Sequence, residues 1–238
     1  MESETRKMKI VCISDTHGDH NMLKDLPEGD MIIHAGDCTS MGKIVELAHF
    51  LSWFRNLPYK YKLLCPGNHD FCFERDPYMA KLMCEEDGIL VGIDKEFVIE
   101  GIRFYLTPWT PYFGGWAFNA QDHTGQSELK TIFDKIPKDV QVLVTHGPPK
   151  TNVFIDKNGD GEHCGSFALE DLIPSLRCLK YCIFGHIHEG YGSITTLFSN
   201  PWKKATEATF INASMAGGRN CGCTRIDPTR KAFVIDVL

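Results

Sequence analysis

Short apolar runs rich in β-branched residues recur along this chain, and most of them stop at a polar, often glycine-marked turn. Lys9–Ser14 (Lys-Ile-Val-Cys-Ile-Ser) is almost continuously apolar, the mark of a strand covered on both faces. Met31–His34 repeats the pattern and runs into Gly36-Asp37, and Tyr61–Cys65 does so again ahead of Pro66-Gly67. Between Met41 and Asn56, residues Ile44, Leu47, Ala48, Leu51 and Phe54 recur at three- and four-residue steps, which predicts an amphipathic helix. Further helices are predicted over Pro77–Glu86, with proline in the first turn, over Ser127–Ile136, with Ser127 as N-cap, and near Phe167–Cys178. Glu96–Leu106 reads as a hairpin turning at Glu100-Gly101, so the sheets are mixed. Val140–Thr145, Tyr181–Phe184, Thr209–Asn212 and Ala232–Val237 complete the strands, and the aromatic, glycine-rich Trp109–Asn119 reads as a loop. No linker, repeat or low-complexity segment interrupts the alternation. The pattern predicts one α/β domain over residues 1–238, with the polar residues 1–7 a flexible lead-in.

The composition allows such a domain: 43% of the 238 residues are hydrophobic and 24% charged. A net charge of −6 argues against a non-specific nucleic-acid surface, which needs a basic face. It leaves an anionic substrate open, because bound metals supply positive charge locally. No run approaches the roughly 20 apolar residues of a membrane span. Ten cysteines are present, several inside strand-like runs (Cys12, Cys65, Cys182) and without framework spacing. They read as reduced, mostly buried thiols of a cytoplasmic protein. Cys221-Gly222-Cys223, the one close pair, lacks the second pair a structural zinc needs.

The chemistry lies where the runs end. Gly67-Asn68-His69-Asp70 places three polar side chains at a strand's mouth, and Asp15-Thr16-His17, Gly36-Asp37, His146-Gly147 and Gly185-His186-Ile187-His188 follow other runs. Strand C-terminal ends are where α/β folds place ligands. Asn is a neutral carbonyl donor, suited to a site where a charged oxygen is already shared between two cations. The array fits two divalent metals, with Mn²⁺ the first expectation and Fe, Zn or Mg the others. Asp37, after Gly36 on a tight turn, suits a bridging carboxylate. Asp15 and His17, two apart, point to one side and can share a metal; His186 and His188 can do the same or divide between two. Metals roughly 3.5–4 Å apart would hold a hydroxide and polarise a phosphoryl oxygen. His69 is then left beside the Asp70 carboxylate, which is placed to hold its ring as a general acid for a leaving alkoxide.

The order Asp-x-His, Gly-Asp, Gly-Asn-His-Asp, His, Gly-His-x-His resembles the calcineurin-like metallophosphoesterase superfamily over residues 15–188. Ser14–His17, His34–Asp37, Pro108–Pro111, Thr145–Pro149, His188–Gly192 and Ile211–Ser214 further resemble the MPPED-type (UPF0046-like) metallophosphodiesterases, small soluble phosphodiesterases. The resemblance implies two mixed β-sheets packed face to face with flanking helices, a four-layer αββα sandwich. It implies that Asp15, His17, Asp37 and His188 hold one metal, that Asp37, Asn68, His146 and His186 hold the other, and that His69 faces the leaving group. Mammalian MPPED-type proteins have Gly where this chain has His186, so this chain should hold its second metal better.

Competing motifs fail on particular residues. His163-Cys164 could open a cysteine-phosphatase loop, but the required Arg position is Glu170. No Gly-x-x-x-x-Gly-Lys-Ser/Thr run exists. Asp156–Gly161 matches half of a calcium loop, yet its twelfth position is Phe167 rather than Glu, so a solvated turn is expected. His20, His49 and His163 read as surface or helix residues. Trp109 and His123 are candidates for contact with substrate. The expected function is hydrolysis of small phosphodiesters such as cyclic nucleotides, with a protein serine/threonine phosphatase or a non-catalytic scaffold of the same fold as alternatives. Two arginines, Arg75 and Arg219, are candidates for the phosphatase reading.

Overall fold

The computed structural model describes residues 7–151, 153–200, 203–218 and 225–238. Residues 1–6, Arg219 and the Cys221/Cys223 pair lie outside the described residues. In chain order the strands are β1 (Met8–Ile13), β2 (Met31–Ala35), β3 (Tyr61–Cys65), β4 (Leu90–Val91), β5 (Lys95–Ile99), β6 (Ile102–Thr107), β7 (Thr110–Pro111), β8 (Asn119–Ala120), β9 (Val142–Thr145), β10 (Tyr181–Phe184), β11 (Gly192–Asn200), β12 (Lys203–Asn212) and β13 (Phe233–Val237). The helices are α1 (Ile44–Arg55), α2 (Cys72–Arg75), α3 (Pro77–Glu86), α4 (Glu128–Phe133) and α5 (Phe167–Leu172).

One sheet has the order β13-β1-β2-β3-β4, parallel except for β13; the other runs β11-β12-β10-β9-β6-β5, with antiparallel β11 and β5 at its edges. Because neighbouring residues of a strand point to opposite faces, the near-continuous apolar runs bury both. Ile10, Cys12, Ile33 and Leu63 of the first sheet meet Phe104, Leu106, Val142 and Ile183 of the second. Val11, Ile13, Ile32 and Leu64, on the other face, lie under Phe50 and Phe54 of α1 and Ala80 and Cys84 of α3. Leu143, Phe184 and Phe210 lie under Phe133 of α4 and Leu169 and Leu172 of α5. These are the four layers expected, two mixed sheets face to face between helices.

Local chemistry sets the element ends. Asp76 accepts the Met79 N–H at 3.1 Å ahead of Pro77, and Ser127 accepts the Lys130 N–H at 3.1 Å. The β5–β6 hairpin turns at Glu100 (φ 51°) and Gly101 (φ 80°), the left-handed pair a two-residue hairpin uses. The helix expected to reach Cys178 stops at Leu172 and tightens into a 3₁₀ turn over Ile173–Ser175, because Pro174 cannot donate to a helical carbonyl. The Ser/Thr-containing β11 carries no clear apolar periodicity and is found only in the structure.

Candidate metal centre

Five strands of the two sheets end on one side of the sandwich. β1 delivers Asp15 and His17, β2 Asp37, β3 Asn68 and His69, β9 His146, and β10 His186 and His188. The turns are held to one another through the backbone: the Asp15 N–H donates to Gly36 O at 2.9 Å, His17 N–H to Asp37 O at 2.9 Å, and Gly185 N–H to His146 O at 2.9 Å. Asp15, His17, Asp37 and His186 all have left-handed backbones, with φ of 54°, 44°, 56° and 66°. Each such residue costs about 1–2 kcal/mol, so the donor side chains sit where the backbone is strained. Glycines leave room for them. A Cβ on Gly185 would come 2.0 Å from Asp15 Oδ2, and one on Gly36 2.1 Å from His146 Nδ1.

The donors form two groups about Asp37. On one side, His17 Nε2 and His188 Nε2 lie 3.1 Å apart, with Asp15 Oδ1 3.4 Å from His188 Nε2 and Asp37 Oδ2 3.8 Å from His17 Nε2. On the other, Asn68 Oδ1 lies 2.8 Å from both His146 Nε2 and His186 Nδ1, and Asp37 Oδ1 lies 3.4 Å from His146 Nε2. His69 also has a ring nitrogen near His17 and Asp37. Outer contacts aim the donors. His146 Nδ1–H donates to Ala35 O at 3.0 Å, turning Nε2 inward, as in most metal-binding histidines. His17 Nδ1 is buried with no hydrogen-bond partner, so the contacts that hold this ring run through Nε2.

The electrostatics favour a cation. Burial raises the Asp15 and Asp37 carboxyls, but surrounding histidines outweigh it: both fall below the ordinary range, Asp15 chiefly through His188 and Asp37 chiefly through His146. Burial pulls His146 down, yet Asp37, through charge and hydrogen bond, lifts it to about 9. Burial dominates at His17, lowered to about 4, and at His186, lowered to about 3, which keeps these rings neutral and able to ligate. Carboxylates, a carbonyl and imidazoles at this spacing fit two divalent ions.

Three expected site residues are placed differently. The Asp70 carboxylate does not reach the His69 ring. It accepts from Thr39 N (2.9 Å), Thr39 Oγ1 (2.6 Å), Gly67 N (2.8 Å) and Cys38 N (3.3 Å), and so ties the Asp37 turn to the Asn68 turn. The His69 ring donates instead from Nδ1 to Ser40 O at 2.6 Å. Trp109 faces away from the centre, its Nε1–H on Asp94 Oδ2 at 2.9 Å and its ring against Phe118. His123 is exposed and contacts Thr124 O at 3.2 Å. The aromatic wall is built by Tyr112, Phe113 and Trp116, which, with Asp37, Asn68, His69, His186 and His188, line a cavity of about 670 Å³. These three belong to the loop the sequence singles out, but only the fold shows which of its rings face inward.

Other histidines serve structure. His163 pairs with the buried Asp156 at 2.8 Å, and Thr151 N and Gly165 N also donate to that carboxylate, so protein donors surround the first position of the calcium-like loop. His20, expected as a surface or helix residue, opens a 3₁₀ turn over His20–Met22 but is buried against Phe50 and Trp53, whereas His49 is exposed. Arg75 stacks on Phe71 at 4.4 Å and is not part of the cavity lining.

Residues 8–190 match the calcineurin-like phosphoesterase family. The chain is 32% identical to the human metallophosphoesterase domain-containing protein 1, over 96% of this chain and 71% of the relative. It is 33% identical to the UPF0046 protein K07C11.7 of Caenorhabditis elegans, over 91% of this chain and 72% of that one. The solved structure of TT1561 from Thermus thermophilus shares the fold, with a TM-score of 0.54 at 14% identity over 88% of this chain and 92% of that one.

Proposed function

Since the chain belongs to the calcineurin-like phosphoesterase family, we propose that it is a dinuclear-metal phosphodiesterase acting on small phosphodiesters such as cyclic nucleotides, with residues 1–238 as one catalytic domain. The observation that carries this reading is the division of donors about Asp37. Asp15, His17 and His188 gather on one side, and Asn68, His146 and His186 on the other. Asp15, His17, Asp37 and His188 would hold one ion, and Asp37, Asn68, His146 and His186 the second, with Mn²⁺ the first metal to supply. Bound ions of this kind polarise a phosphoryl oxygen and lower the pKa of water.

The chain's own residues do the rest. The aromatic wall takes the organic part of the ester and excludes water around it. His69, as the imidazolium with its Nδ1–H held on Ser40 O, would give its Nε2 proton to the leaving oxygen and be left as the neutral ring. The described lining joins the aromatic rings of Tyr112, Phe113 and Trp116 to His69, His186 and His188, and a small, singly charged diester is the substrate proposed for it. Cys12, Cys38, Cys65, Cys72, Cys84 and Cys182 are buried free thiols, and a reducing, cytoplasmic setting is part of this reading. No helix among the described residues is long and apolar enough to cross a membrane.

The test is metal analysis of the purified chain followed by a panel of cyclic diesters, linear diesters, monoesters and a phosphopeptide with Mn²⁺ added. Two ions per chain and preferential diester turnover are expected. Faster turnover of monoesters or phosphopeptide would overturn the diester assignment, and failure to bind metal would make the chain a scaffold.

A further inference from the structure

Trp116 stands out among the cavity residues because its ring lies over His69. The centroids are 4.2 Å apart at an interplanar angle of 32°, while His17 meets His69 edge-on at 4.6 Å and 82°. The His69 main-chain N–H donates to Asp37 Oδ1 at 2.7 Å and its Nδ1–H to Ser40 O at 2.6 Å. A backbone bond, a ring bond, an edge and a face therefore confine one imidazole. Of these, the Trp116 face is the contact that lies most nearly parallel to the ring and so opposes its tilting.

The loop that carries Trp116 is built to keep it there. Ala117 N–H donates to the carbonyl of Asn68 at 3.2 Å, Phe118 N–H to Glu74 Oε1 at 2.7 Å, and Thr110 N–H to Phe118 O at 2.9 Å. The base of the loop is thus fastened to the same turn that carries Asn68 and His69, whereas Tyr112 and Phe113 at its tip are 58% and 40% exposed. The indole is placed relative to His69 by its neighbour's bond to Asn68 and by ring contacts with Phe71 at 5.8 Å and Phe113 at 6.4 Å, while the Trp116 main-chain N–H donates to Phe113 O at 3.5 Å.

From this geometry we propose that Trp116 is a positioning residue: it fixes the plane of the His69 imidazole so that Nε2 is directed at the leaving oxygen of the ester. This rests on the reading of His69 as proton donor. Trp116 takes no proton and makes no bond to the reacting atoms. Its contribution is orientation, and displacement of a catalytic group by about 1 Å can cost on the order of 10²-fold in rate. The signature is specific. Loss of orientation should matter when the leaving group needs a proton and matter little when it does not.

Trp116→Leu, Trp116→Phe and His69→Ala should be compared with the parent chain on two diesters, one with an alkyl and one with a 4-nitrophenyl leaving group, each protein loaded with Mn²⁺. Expected for Trp116→Leu is a fall in kcat of about 10–100-fold on the alkyl ester and within about threefold on the nitrophenyl ester, with metal content unchanged. Trp116→Phe, which keeps a flat face, should recover most of the alkyl-ester rate. A second measurement is independent of turnover. In the metal-free chain the His69 ring protons, identified by their loss in His69→Ala, should be shifted upfield by the indole and return toward ordinary values in Trp116→Leu. If His69→Ala lacks the leaving-group difference, the reading of His69 fails. If His69→Ala shows it while Trp116→Leu slows both esters equally, or leaves the ring protons where they were, the positioning role of Trp116 is overturned.

Discussion

His17 and His188, 171 residues apart in sequence, bring their Nε2 atoms to 3.1 Å of each other beside the Asp15 carboxylate. Two ring nitrogens at that distance cannot both carry protons without repulsion, and a shared cation satisfies both. Asp37 lies between this pair and the Asn68–His146–His186 group, with Oδ2 toward the first and Oδ1 toward the second.

The first prediction concerns that division. Asp37→Ala should lose both ions, whereas His188→Ala should weaken mainly the ion held with Asp15 and His17. Metal stoichiometry after dialysis decides it. Two ions retained by Asp37→Ala would exclude a shared role for this carboxylate.

His186 contributes one of four donors to the second group but sits at φ 66°, a conformation glycine adopts freely. His186→Gly should therefore reduce occupancy of the second site at least about tenfold, the lower end of what even an outer contact is worth, while the metal-free chain melts no lower than the parent. Calorimetry of metal binding and of unfolding reads the two effects separately. A large loss of thermal stability in the metal-free variant would show that this side chain supports the fold instead.

Asp70 holds five donors from two turns, the Cys38 thiol at 3.4 Å among them, and an amide in its place would present hydrogens to some of them. With about 1–3 kcal/mol lost for buried groups left unsatisfied, Asp70→Asn should lower Tm by roughly 2–12 °C and loosen both metal sites together. Normal Tm and metal affinity, combined with a selective loss on poor leaving groups, would return Asp70 to a direct role beside His69.

His20 gives a pH prediction remote from the chemistry. Burial first, and the neighbouring His49 second, lower it to about 4 from 6.5. Because the folded value is the lower one, the stability involved is present above about pH 6.5 and is lost as pH falls toward about 4. His20→Leu should flatten this part of the acid dependence. Thermal melts of the chelated proteins at intervals from pH 7 to 4 would show it, and parallel curves for the two would remove His20 as a contributor.

The strands and the donors they carry are largely legible in the sequence, because a strand buried on both faces and a polar turn after it leave local marks. The misplacements arise where position depends on distant partners. Trp109 and Trp116 stand in the same aromatic loop, and what separates them is Asp94, which takes the Trp109 N–H, and His69, which lies under Trp116. Adjacency suggests that Asp70 holds the His69 ring, yet the turn directs the two side chains apart, toward the Thr39 hydroxyl and the Ser40 carbonyl. The burial of His20, read as a surface or helix residue, is hidden because the rings that cover it, Phe50 and Trp53, come from the next helix.

The left-handed backbone at Asp15, His17, Asp37 and His186 bears on how such a protein would change over generations. At each of these positions the donor side chain is the source of local strain, and glycine would relieve it. Glycine is therefore the conformationally easier residue at four positions whose side chains are proposed to hold the metals. Variants of this sandwich with an impaired centre are therefore conformationally accessible, and His186, one donor of the second group, is the simplest place to make one.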